Sequence, residues 1–240
     1  MVRMQRGLAV VLLVLAGVVH SEPLPPPASI GLLALPQLFG ARPCGVEQAA
    51  TLHFFETPDG LQPAGEIVAR WDEPRAPGDC LRPDVSVRWF DAPNVRSMTT
   101  EEQAYGKPAA VVTEQRAGWF KILLAERMAW IRPEQGYRFY PLRDLYQEQA
   151  TYLSLAWDGA LCREPGQYRQ CPTILIAPEL APPVEVLASR EVGGQTWFQI
   201  RFLERGGCGE GDEILPRSEG WVPAYGRENK PSIWFYSRGC

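Results

Sequence analysis

Two stretches of this 240-residue chain carry the same pattern. In the first, Val111-Val112 leads to Gly118-Trp119-Phe120-Lys121-Ile122, and Trp130-Ile131 follows eleven residues after Trp119. In the second, Val184-Glu185-Val186-Leu187 leads to Gly194-Gln195-Thr196-Trp197-Phe198-Gln199-Ile200, and Trp221-Val222-Pro223 closes it after an insertion of 13 residues that includes Cys208. Each copy reads as strand, turn, strand, turn, strand. Side chains alternate across a strand, so Phe120, Ile122 and Leu124 share one face, as do Phe198, Ile200 and Phe202. These two sets are the expected core. Trp119, Lys121 and Leu123, and likewise Trp197, Gln199 and Arg201, take the opposite, partly solvated faces, where the tryptophans either close a barrel edge or line a groove. The 23 prolines and 22 glycines are spread throughout, a punctuation that breaks long helices and suits short strands.

The Gly-Trp-aromatic-x-Ile strand with a closing Trp-(Ile/Val) resembles the bacterial SH3-like (SH3b) domains, which are small barrels of five to six strands. The resemblance covers about residues 109–145 and 184–225. It implies an all-β chain of two small SH3-like β-barrels in tandem with loop insertions. The first domain is expected over 44–147, opened by a strand pair from Leu52 to Gly60 and from Gly65 to Ala69, with an insertion at 71–105. The second is expected over 148–240, opened by Tyr152–Leu161 and Thr173–Ile176 and ending in a C-terminal strand. Residues 22–43 read as a Pro-rich leader, an extended spacer, followed by an apolar segment that docks on the first domain.

Residues 1–21 have the three parts of a secretory signal peptide: Arg3 and Arg6, an apolar run from Leu8 to Val19, and Val19-His20-Ser21 at the cleavage site. The run is about a dozen residues, short of the roughly 20 needed to span a bilayer as a helix. A periplasmic or secreted product without a transmembrane segment is therefore expected. Cleavage leaves 22 basic and 28 acidic side chains, and the basic ones form no run. Nucleic acid is an unsuitable partner for such a surface.

Six cysteines remain in an exported chain: Cys44, Cys80, Cys162, Cys171, Cys208 and Cys240. An even number in that setting points to disulfides. Neighbour pairing, Cys44 with Cys80, Cys162 with Cys171 and Cys208 with Cys240, is the expectation among 15 possible schemes. Cys162 and Cys171 bracket a turn-forming stretch, Pro165-Gly166 included. The chain has no Cys-x-x-Cys pair and only His53 after cleavage, so no metal or cofactor is expected.

That single histidine also argues against enzyme chemistry. Ser-His-Asp and Cys-His mechanisms need a histidine against the nucleophile, and His53 lies in an apolar strand with no His-Glu-x-x-His around it. Glycosidase chemistry needs two carboxylates, but Asp72-Glu73, Glu101-Glu102 and Glu210-Gly211-Asp212-Glu213 read as loop charges. The last of these lacks the alternating Asp ligands of a calcium loop, and no phosphate-binding glycine motif occurs. Aromatic side chains are the remaining resource. Trp119, Tyr137 and Tyr140 in the first unit, and Trp197, Tyr225, Trp234 and Tyr236 in the second, are the candidates for ligand contact, with core packing as the competing role. The reading that follows is a non-catalytic cell-envelope binding module recognising peptidoglycan or its stem peptides. The alternatives are a periplasmic protein-interaction or inhibitor protein and, third, a carboxylate-dependent hydrolase.

Overall fold

The computed structural model describes residues 29–40, 48–71, 83–167, 171–173, 182–203 and 218–236. The chain is mostly β, as the punctuation and alternation predict. Fifteen strands form three antiparallel sheets, none of which closes on itself among the described residues. The all-β expectation therefore holds, while no closed barrel is present among the described residues.

The apolar segment after the leader enters as β1 (Gly31–Ala34), followed by the short helix α1 (Pro36–Phe39). A hairpin of β2 (Gln48–Phe54) and β3 (Gly65–Trp71) is extended by β4 (Asp84–Trp89) and β5 (Val95–Ser97) into a four-stranded sheet. The stretch 84–104, read from the sequence as part of an insertion, therefore carries three strands. The third of them is β6 (Thr100–Ala104), which pairs with β7 (Lys107–Arg116). The sheet of β7 is built in the order β10-β1-β7-β8-β9, with β8 (Trp119–Leu124), β9 (Arg127–Ile131) and β10 (Arg138–Pro141). Helix α2 (Leu142–Glu148) then leads to the third sheet, β14-β13-β12-β11-β15, from β11 (Ala150–Leu153), β12 (Pro183–Val192), β13 (Gln195–Phe202), β14 (Glu219–Pro223) and β15 (Ile233–Tyr236).

In the sheet containing β1, that strand and the adjoining part of β7 are buried on both faces. Leu33, Ala110 and Val112 pack with Phe54, Ile67, Phe120 and Ile122 in a core shared with the β2–β5 sheet. Leu32, Ala109 and Val111 pack with Val184, Phe198 and Ile200 in a second core shared with the third sheet. Strand alternation explains how one strand serves both sides: Leu32 and Leu33 are adjacent and each is wholly buried. β1 reaches this position because Gly31 carries no side chain, since a Cβ there would lie 2.3 Å from the Tyr140 carbonyl oxygen. Tyr146 of α2 fastens the second core, donating its hydroxyl to the Ile233 carbonyl at 2.6 Å, and burial pushes its phenol pKa well up.

The sequence repeat is a structural repeat in register. β7-β8-β9 and β12-β13-β14 are three-stranded meanders that each turn through two residues at positive φ, Ala117-Gly118 and Gly193-Gly194. Such turns match the right-handed twist of their strands. Each first strand is bulged at the same place, between Val112 and Glu114 opposite Ile122 and Lys121, and between Val186 and Ala188 opposite Ile200 and Gln199. In each, the closing tryptophan faces the residue after the aromatic: Lys121 opposite Trp130, and Gln199 opposite Trp221. Both expected core sets, Phe120-Ile122-Leu124 and Phe198-Ile200-Phe202, are buried. No helix among the described residues is long and apolar enough to cross a membrane.

Candidate functional site

The two repeats differ at their tryptophans. In each, a segment from outside the meander bridges the closing tryptophan, Phe55 with Trp130 in the first and Cys162 with Trp221 in the second. The backbone exchanges are two-way, at 2.8 Å both ways for Phe55 with Trp130, and at 2.8 and 2.7 Å for Cys162 with Trp221. In the first repeat the Phe55 ring meets Trp119 edge-on at 5.4 Å and leaves it half-exposed. In the second the bridging residue is half of the Cys162–Cys171 disulfide, and Trp197 packs beneath with Cys162 and Trp221 at 1% exposure. Trp197 therefore packs and offers no face to a ligand.

Around Trp119 the open face collects charge. The Arg132 guanidinium stands 5.9 Å from the Trp119 ring centre, and the Lys121 ammonium 5.8 Å from that of Trp130. Lys121 also meets Glu114 at 3.6 Å. These cations come from the alternation that sends Lys121 to the Trp119 face, and from β9 running antiparallel beside β8. Such cation–aromatic contacts contribute about 0.5–1 kcal/mol at exposed sites. Their larger consequence is that two cations stand beside the aromatic rings of this face.

The other aromatic candidates are dispersed. Tyr137 is 37% exposed, with its ring edge-on to Phe120 at 5.5 Å. Tyr140 is half-buried on β10 under the Arg138 guanidinium, at 4.6 Å. Trp234 is buried, its ring 5.0 Å from that of Phe235, in the core between the second and third sheets. Tyr236 ends β15, where its backbone pairs with Ala150. Tyr225 is half-buried and donates its hydroxyl to the Ser29 carbonyl at 2.8 Å, tying the third sheet to the start of β1. Trp119 lies on β8 of the central sheet, Tyr225 follows β14 of the third sheet, and Trp197 and Trp234 are buried, so these aromatics do not form one groove. Missed by the sequence reading was Phe55, whose role depends on a bridge to a residue 75 positions away.

Of the cysteines, Cys162 and Cys171 are joined, as neighbour pairing predicts. Cys44, Cys80, Cys208 and Cys240 lie outside the described residues. His53 is exposed on β2, opposite Glu66 in register. Among the carboxylates, burial first and then neighbouring Glu102 push the Glu101 pKa up. Glu101 and Glu102 are adjacent on a strand, so they leave on opposite faces and do not confront one another across a substrate-sized gap. The acids at 72–73 and 210–213 lie outside the described residues. Comparison of the chain with family models, with curated proteins and with solved structures gave no match.

Proposed function

We propose that this chain is a non-catalytic binding module of the cell envelope, exported to the periplasm or beyond, which takes peptidoglycan or its stem peptides on the Trp119 face. The observation that carries the reading is the contrast between the repeats. The same tryptophan position is sealed by a disulfide in one copy and left open, between Phe55 and Arg132, in the other. A half-exposed indole suits the apolar face of a sugar ring, and Arg132 and Lys121 suit the carboxylates of stem peptides.

Pull-down on purified sacculi tests this. Wild type is expected to be enriched over a denatured control. Trp119→Ala is expected to bind at least about tenfold more weakly, since an anchoring aromatic contributes more than about 1.4 kcal/mol. Because Trp119 also packs on Phe55, Arg132→Glu is the companion variant: Arg132 is exposed, so its melting temperature should stay unchanged while binding falls. Equal enrichment of both variants and wild type would remove the face from the mechanism.

A second reading, a stoichiometric protein partner, draws on Leu61 and Phe90, which are 98% and 54% exposed. The Phe90 amide donates to the carbonyl of Ala64, three residues beyond Leu61 in the same turn segment, at 2.9 Å. Exposed apolar residues in a patch suit a protein interface. Co-purification of one partner at fixed stoichiometry, lost in Leu61→Ser and Phe90→Ser with sacculus binding absent, would favour it.

A further inference from the structure

A cleft of about 480 Å³ opens between the central sheet and the third sheet, and Trp119 is not among the residues that line it. That volume lies within the range of small-molecule sites. Its floor is apolar: Leu142, Phe198 and Ala224 are buried there, and Ile30 completes it. Its lining carries opposite charges. Arg143, the second residue of α2, and Glu191, near the end of β12, both line the cleft.

Register determines which side chains face this space. Ser189 pairs with Phe198 and Glu191 with Thr196, so all four share the face turned to the second core. Arg190 belongs to the opposite face, where its guanidinium covers the Trp221 ring at 5.1 Å. Arg190 also lines the cleft, but its guanidinium is taken up by the Trp221 ring, which leaves Arg143 as the lining cation not engaged with an aromatic ring. Thr196 donates its hydroxyl to one Glu191 carboxylate oxygen and so orients it. Arg143 gives its Nε to Asp144 at 3.2 Å, one of the five N–H donors a guanidinium has. Tyr225 lines the same space, and its hydrogen bond to Ser29 holds the walls at a fixed separation.

We infer that this cleft binds a zwitterionic amino acid or short unblocked peptide, its ammonium group on Glu191, its carboxylate on Arg143 and its side chain on the floor formed by Leu142 and Phe198. The charge pattern argues for such a ligand: a purely anionic ligand would meet Glu191, and a purely cationic one Arg143. Ser189 and Thr196 add hydroxyls for a peptide amide. The inference stands apart from the Trp119 reading and uses none of its residues.

Calorimetric titration of the mature chain with alanyl-leucine, with its N-acetylated form and with its C-terminal amide tests the assignment. The unblocked dipeptide is expected to bind about tenfold more tightly than either blocked form, the effect of one charge-assisted contact. Glu191→Gln keeps an oxygen for Thr196 and should abolish the preference over the N-acetylated form alone. Arg143→Gln should abolish the preference over the amide alone. Amide NMR shifts on titration should centre on Ser189, Glu191 and Thr196, and Trp119→Ala should change neither affinity nor shifts. Equal binding of all three peptides, absence of saturable binding, or loss of binding in Trp119→Ala would each overturn the inference.

Discussion

Leu32→Ala is expected to destabilise the protein by about 3–4 kcal/mol, among the largest effects of any single truncation in this chain. Leu32 is wholly buried in β1, which is paired on both sides, with β10 and with β7. Large-to-small changes at such positions lose the transfer free energy of the removed methyl groups and leave a cavity, for about 2–5 kcal/mol in total. A central strand packed on both faces has little freedom to collapse into the gap, which places Leu32 in the upper part of that range. Leu32 sits in the core between the second and third sheets, while its neighbour Leu33 sits in the core between the first and second. For a chain of this size, the cost corresponds to a drop in melting temperature of roughly 6–16 °C. Fluorescence and far-UV circular dichroism should shift together in urea, because β1 belongs to both cores. Two separated transitions, with only one moved by the substitution, would show that the layers unfold independently and that β1 does not couple them.

The second large effect concerns the Cys162–Cys171 disulfide. Replacing both cysteines by serine is expected to destabilise by about 2–3 kcal/mol, the chain-entropy value for a short closed loop. A local consequence separates this from a general loss of stability. The bridge sits over Trp197 and Trp221 at the place Phe55 occupies in the first repeat. Without it the second repeat should come to resemble the first, with Trp197 open to solvent. Acrylamide quenching of tryptophan fluorescence, measured well below the unfolding transition, should therefore rise in the double variant. Quenching equal to wild type would mean that the Cys162 backbone bridge to Trp221, and not the disulfide, keeps water from Trp197.

A parallel comparison shows what could be read from residues in order. Phe120, Ile122 and Leu124 alternate with Trp119, Lys121 and Leu123, and period-two alternation assigns faces with no knowledge of the neighbouring strands. The same rule placed Phe198, Ile200 and Phe202 inside. It did not distinguish Trp119 from Trp197, because they hold the same position in the same motif. Their different exposure comes from what crosses the closing tryptophan, Phe55 in one repeat and the disulfide-bonded Cys162 in the other. The two pairings join residues 75 and 59 positions apart, and no local pattern encodes them. β4, β5 and β6 escaped the sequence reading for a related reason. Val85, Val87 and Trp89 do alternate with polar residues, but the expected compact unit had no place for them.

The sequence by itself determined the mostly β character of the chain, the two copies of the strand-turn-strand-turn-strand pattern, and the faces of β8 and β13. All of these follow from local backbone preference and the two-residue period. Tertiary structure alone decided that β1 enters the middle of a sheet, that β1 is buried on both faces, and that only one of two equivalent tryptophans remains open. It also decided that Glu191 and Arg143 line one cleft. Each of these depends on contacts between segments far apart in the chain, where the free energy lies in shape fit and shared burial and no short stretch of residues carries it.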